Sequence, residues 1–139
     1  MTSIVRFFVA LATTAIIAAT ASADPCEGEL PTKLGTSFLG VVKYVVDGDG
    51  ICVGKDDDPE TWIEVRFADF DAPELRTEEG REAKQMVEDK LFGKQVSCTT
   101  SKGRNGKTRS HDRVLATCRL GTKGVSDVLN EAGVPTGGN

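Results

Sequence analysis

Two stretches of this chain concentrate opposite charges. Between positions 47 and 79, twelve acidic residues stand against Lys55, Arg66 and Arg76. Between 102 and 119, six basic residues (Lys102, Arg104, Lys107, Arg109, Arg113 and Arg119) stand against Asp112 alone. Gathered carboxylates are the oxygen donors a hard cation prefers. Guanidinium groups present planar, paired donors that match phosphate oxygens. The first stretch could therefore hold a metal ion and the second could face a polyanion. Composition leaves open that both are solvated loops.

Within these stretches the chemistry-bearing residues fall into four short motifs: Val46-Asp47-Gly48-Asp49-Gly50, Val65 through Asp69-Phe70-Asp71-Ala72-Pro73-Glu74, Gly80-Arg81-Glu82-Ala83-Lys84, and Asp112-Arg113-Val114-Leu115-Ala116. Each is weak alone. Asp47 and Asp49 are good turn formers, Arg66 could pair with Asp71 or Glu74 across a strand end, and Arg113 could be one solvated charge in a basic segment.

The elements around the motifs follow from periodicity. Residues 37–46 are a β-branched and aromatic run, read as a first strand; the Asp-Gly-Asp-Gly turn interrupts it and 51–53 resume it. Residues 55–60, with three consecutive aspartates and Pro59, read as a hairpin tip. Residues 61–70 alternate, with Ile63, Val65 and Phe67 on one face and Trp62, Glu64, Arg66 and Ala68 on the other, a half-buried strand that Pro73 ends. Over 78–92 the period changes: Ala83, Met86, Val87 and Leu91 form one stripe of a helix with acids at its start and Gly93 as its stop. Residues 95–99 and 114–120 are two further strands, and 125–132 a second helix stopped by Gly133. Short strands with one helix before the last of them suit a mainly β, α+β chain folded as a Greek-key barrel of OB type, although the pattern fits other α+β folds as well.

The ends and the cysteines bear on compartment. Residues 1–23 have one positive charge, an apolar stretch and a small-x-small site at Ala21-Ser22-Ala23, the pattern of a secretory signal peptide. The apolar run is broken by Thr13, Thr14 and Thr20, and a bilayer-spanning helix needs about 20 mainly apolar residues, so cleavage before Asp24 is expected. A secreted or periplasmic location follows. Residues 24–36 read as an irregular arm, 37–134 as the folded domain, and 135–139 as a flexible tail. The whole chain carries 17 basic and 21 acidic residues, a net −4; losing Arg6 with the leader makes it −5. That balance disfavours a polyanion partner, since counterion release and steering both reward a basic surface. Cys26, Cys52, Cys98 and Cys118 form an even set that reads as disulfides, with three pairings open. With no C-x-x-C and a single histidine, His111, a structural zinc site is not expected.

In this order and spacing the four motifs resemble the staphylococcal nuclease (thermonuclease) family over residues 38–134. The resemblance implies a five-stranded OB-fold barrel with two packed helices and a calcium site on the barrel face. It places Asp49 and Asp71 as metal carboxylates, Ala72 as a backbone carbonyl ligand, Glu74 as general base, and Arg66 and Arg113 as the guanidinium pair on the scissile phosphate. It implies a Ca²⁺-dependent nuclease acting on DNA or RNA with little sequence specificity, a monomer with no membrane association once the leader is gone. Lys102, Arg104, Lys107, Arg109 and His111 would then contact nucleic acid. The family's strand register sets Cys98 opposite Cys118, which leaves Cys26 to join Cys52.

The chain departs from the family pattern in two places near the site. Gly50 stands where a threonine is usual, and His111-Asp112-Arg113 replaces Tyr-Gly-Arg, removing a phosphate-contacting tyrosine and setting a carboxylate beside Arg113. Reduced activity or an altered substrate preference is the expectation these raise. Two other functions compete: a catalytically weak OB module that binds nucleic acid or another polyanion without cutting it, and a polysaccharide-associated envelope protein. The last would need aromatic stacking platforms, yet Trp62 and Tyr44 are the only Trp and Tyr.

Overall fold

The β-branched run that opens the folded part forms β1, Ser37–Asp47, which is long enough to serve two neighbours. Its first half pairs antiparallel with β4 (Gln95–Thr100), from Ser37 opposite Thr99 to Val41 opposite Gln95. Its second half pairs antiparallel with β2 (Gly50–Gly54), from Val41 opposite Gly54 to Asp47 opposite Gly50. Register irregularities at Val42/Tyr44 and Val45/Asp47 bend the strand between these partners, as extra residues in one strand of a pair do. β2 pairs with β3 (Ile63–Phe67), and β6 (Arg113–Leu120) pairs antiparallel with β4 and parallel with β3. The last pairing closes the ring. In this computed structural model, which describes residues 24–137, the chain is a closed, mixed, five-stranded β-barrel carrying two helices.

The barrel interior is filled from all five strands, by Val42, Val45, Ile51, Val53, Val65, Phe67, Val96, Val114 and Ala116. Helix α1, Glu78–Leu91, adds Ala83, Val87 and Leu91 from the expected stripe, all fully buried. Met86 packs only partly against the core. The helix begins at Thr77, whose hydroxyl accepts the Gly80 N–H at 3.0 Å, and ends before Gly93, which adopts φ 74°. Both are the usual chemistry of helix ends. Helix α2, Val125–Glu131, buries Val125 and Leu129.

Two short strands had no sequence signal. β5 (Arg109–Ser110) folds back on the start of β6, and β7 (Lys123–Gly124) pairs with its end. Each is a two-residue ladder, too short for periodicity to register. The strand expected over 61–70 is shorter, because Pro59–Thr61 forms a 3₁₀ turn inside the hairpin tip and pairing stops at Phe67. Its second face is also not a solvent face: Glu64 is buried. The irregular arm covers it, held by the Cys26–Cys52 bridge and by the Gly28 N–H donating to the Trp62 carbonyl at 2.8 Å. The second bridge joins Cys98 and Cys118, which face each other across β4 and β6. Both bridges match the expected pairing and fit an oxidising compartment. No helix among the described residues is long and apolar enough to cross a membrane. The leader expected over 1–23, and residues 138–139 of the tail, lie outside the described residues.

Candidate active site

The β1–β2 turn places Asp47 and Asp49 at one end of the barrel. Gly48 makes this possible, because a Cβ there would lie 2.5 Å from the Ala72 Cβ and 2.7 Å from that of Ala83. The turn therefore slides directly under the segment after β3 and against α1. Asp49 caps that contact, accepting the Ala72 N–H at 2.7 Å. Asp47 steadies the turn from inside by accepting the Asp49 N–H at 3.1 Å.

Arg66 sits near the end of β3 and is enclosed by acceptors. Its Nη1 donates to the carbonyls of Phe67 (2.5 Å) and Phe70 (2.7 Å), its Nη2 to Asp71 Oδ1 (2.5 Å), and its Nε lies 3.2 Å from Asp49 Oδ1. The other Asp71 oxygen accepts from Arg104 at 2.9 Å. Asp49 is only 7% exposed, and its carboxyl is pushed up to about 7. Burial is the main cause and Asp47 adds to it, while the Ala72 N–H and Arg66 pull the other way. An ionised carboxylate is costly away from water unless its charge is met.

Arg113 enters from the opposite side, at the start of β6. Its nearest carboxylates are Asp47 at 3.6 Å and Glu64 at 3.9 Å, both beyond hydrogen-bond length. Glu74 stands at the cleft edge with its side chain exposed. Its backbone is fixed, because its carbonyl accepts both the N–H (2.9 Å) and the hydroxyl (2.7 Å) of Thr77 at the helix start.

Asp49, Arg66, Asp71, Ala72, Glu74 and Arg113, the six residues singled out from sequence, line one polar cleft of about 110 Å³ together with Asp47 and Pro73. The basic loop is not gathered there as a unit. Arg104 reaches the cleft through Asp71. Arg109 turns to the opposite side, lining a separate cavity with Asp24 and Asp112, and donates from Nε to the His111 carbonyl at 2.7 Å. Lys102, Lys107 and His111 are exposed and line neither cavity.

Sequence reading missed Glu64. Its carboxyl is raised to about 7, mainly by burial, then by the charges of Asp24 and Asp112, against the opposing pull of Arg113. The signal was present: β2–β3 pairing sets Glu64 opposite Cys52, so any bridge from the arm to Cys52 must cover it. Gly50 has a local reason as well. A Cβ there would come 2.8 Å from Asp47 Oδ1 and 3.6 Å from Arg113 Nη1, so the glycine leaves room for the contact between these two side chains.

The donor set suits a hard cation in type, with two carboxylates held beside a fixed backbone segment. Arg66 bridges these carboxylates, so an ion bound to both would take over part of that guanidinium's role at Asp71. Comparison with protein-family models and with curated proteins gives no match for this chain.

Proposed function

We propose that this cleft is a phosphodiesterase site, and that the chain is an exported, calcium-dependent nuclease of the thermonuclease kind on an OB-type barrel. Its substrate would be DNA or RNA, cut with little sequence specificity. The observation that carries the reading is Arg113: a half-buried guanidinium aimed into a carboxylate-lined cleft with no acceptor within hydrogen-bond length among the described residues. Such a group is free to fork onto a phosphate.

Asp49, Asp71 and the Ala72 carbonyl would hold the cation. Bound there, the ion would neutralise phosphate charge and so lower the barrier to an approaching anionic nucleophile. Arg113 and Arg66 would orient the phosphate and stabilise charge building on its oxygens. Glu74, exposed at the cleft edge, would take the proton of the attacking water as the P–O bond to the leaving oxygen breaks.

One observation favours a second reading, a barrel that binds nucleic acid without cutting it. Asp71 is already met by both Arg66 and Arg104, which makes the site self-neutralised. Incubating the purified protein with plasmid and with single-stranded RNA, in calcium and in chelator, separates the two. Calcium-dependent fragmentation lost in Arg113→Ala supports the nuclease. Retention of nucleic acid on the protein with no fragmentation in calcium supports the second reading and removes the first.

A further inference from the structure

Outside the cleft, three carboxylates from distant parts of the chain converge. Asp24 comes from the arm, Glu64 from β3 and Asp112 from the β5–β6 hairpin, and an oxygen of each lies within 4.8 Å of an oxygen of the other two. Acidic groups that merely share a surface spread into water. Here one of them has little room to do so, because Glu64 is only 3% exposed. Its carboxylate makes no hydrogen bond among the described residues, and its ion-pair partner Arg113, at 3.9 Å, stands beyond hydrogen-bond length and also faces Asp47. A carboxylate buried to this degree is ordinarily satisfied by donors. Glu64 instead points at two further acids.

The geometry points to a second cation site, separate from the Asp49–Asp71 cleft, in which Asp24, Glu64 and Asp112 bind a divalent calcium ion. Three carboxylates are a sound partial shell for an ion that takes about 6 to 8 oxygens. Asp24 and Asp112 also line a cavity of about 490 Å³ between the arm and the basic loop, which leaves room for waters to complete it. The basic groups nearby do not fill this role: Arg109 lines the cavity but gives its Nε to the His111 carbonyl, and Arg113 is shared with the cleft.

The site would join three segments that are far apart in the sequence. The arm is anchored at Cys26, two residues from Asp24, and Asp112 directly precedes Arg113. An ion here fastens the arm to the hairpin that carries Arg113. It also removes Glu64 as a competitor for that guanidinium. This inference stands whether or not the chain cuts nucleic acid.

Calcium binding to the purified, oxidised protein, measured by calorimetry and by equilibrium dialysis up to millimolar ion, tests it. The expected result is two ions per chain. Glu64→Gln and Asp112→Asn should each lose one of them, or weaken it more than 10-fold. Asp49→Asn combined with Asp71→Asn should lose the other and keep this one. Asp112 is exposed, so its variant serves even if Glu64→Gln folds poorly. A single ion lost in Glu64→Gln and Asp112→Asn but kept in the cleft double variant supports this site and sinks the calcium role of the cleft. A single ion that only the cleft variants abolish overturns the inference, as does two-ion binding unchanged in both Glu64→Gln and Asp112→Asn, or no binding at all.

Discussion

The two sides of the cleft are built on opposite principles. On the barrel side, Arg66 is locked by four acceptors at 2.5–3.2 Å, and Asp49 is buried against the Ala72 N–H. On the loop side, Arg113 has no acceptor closer than 3.6 Å among the described residues, and Arg104 reaches Asp71 with 84% of its side chain exposed. The difference teaches that two arginines expected to share one role need not share one energetic state. Arg66 is part of what closes the barrel end. Arg113 is held near its place by the strand and meets its carboxylates only at ion-pair distance, without a hydrogen bond.

If that contrast is real, substitutions on the two sides should separate activity from stability. Arg113→Lys keeps the charge and loses the planar fork, so kcat should fall roughly 10²-fold, the effect of removing one preorganised donor. The urea midpoint should barely move. Steady-state cleavage rates beside equilibrium unfolding check this, and near-parental turnover would reduce Arg113 to a surface charge. Arg66→Ala should also lower turnover but, unlike Arg113→Lys, it should cost about 2 kcal/mol in folding stability as well. Breaking a buried pair can cost about 3–5 kcal/mol, but here Asp49 can take up a proton and limit the damage. Arg104→Ala, on the exposed pair, should change stability by about 0.5 kcal/mol or less. Equal unfolding midpoints for Arg66→Ala and Arg104→Ala would erase the distinction.

Much of this was legible in the sequence, and the limits are physical. The five barrel strands and both helices follow from alternation, from the helical stripe and from the glycine and proline stops. The six cleft residues were named only through the family resemblance of four short motifs at turns and strand ends, since each motif alone is weak. Glu64 could not be read from alternation, which assigns a face without saying what covers it; the one signal was its place opposite Cys52, which the arm's bridge covers. The convergence of Asp24 and Asp112 on it depends on a disulfide and a two-residue hairpin. The fate of the basic loop was equally hidden: a run of charges does not say that Arg104 turns to the cleft and Arg109 away from it.

The buried acids give the barrel side a pH signature that the exposed loop cannot share. Asp49 and Glu64 both have folded pKa values raised to about 7, above the roughly 4 of unfolded carboxyls. Between these values the folded chain holds protons that the unfolded chain has released, so stability is fully present below about pH 4 and is lost as pH rises through 7. The slope is at most about 1.4 kcal/mol per pH unit for each group. Because the groups lie among other charges that relax as they titrate, a total of about 1–2 kcal/mol between pH 5.5 and 7.5 is the reasonable expectation. Unfolding in chelator should therefore give a more stable protein at pH 5.5, with a shallower decline in Asp49→Asn and in Glu64→Gln. A flat parental profile would mean that these carboxylates are better compensated than their burial indicates.

A further small effect lies on the loop side, at its hairpin tip. His111 has φ 56°, the only non-glycine residue among those described in the left-handed region. This backbone costs an L-residue about 1 kcal/mol or more, although histidine is among the side chains that tolerate it better. The His111 ring offers little in return, since its one hydrogen bond among the described residues is with Ser110 Oγ, 3.4 Å from Nδ1. Glycine would relieve the strain, while its greater freedom in the unfolded chain would offset part of the gain. His111→Gly should thus stabilise by about 0.5 kcal/mol, a rise of roughly 2–3 °C in Tm for a domain of this size. His111→Ala should show no such rise, because it keeps the Cβ and hence the strain. The pair of melts discriminates sharply. A gain confined to glycine locates the strain in the backbone of the turn that presents Arg113. A drop in both variants would show instead that the imidazole itself holds the hairpin, and that the loop side is more firmly built than its exposure implies.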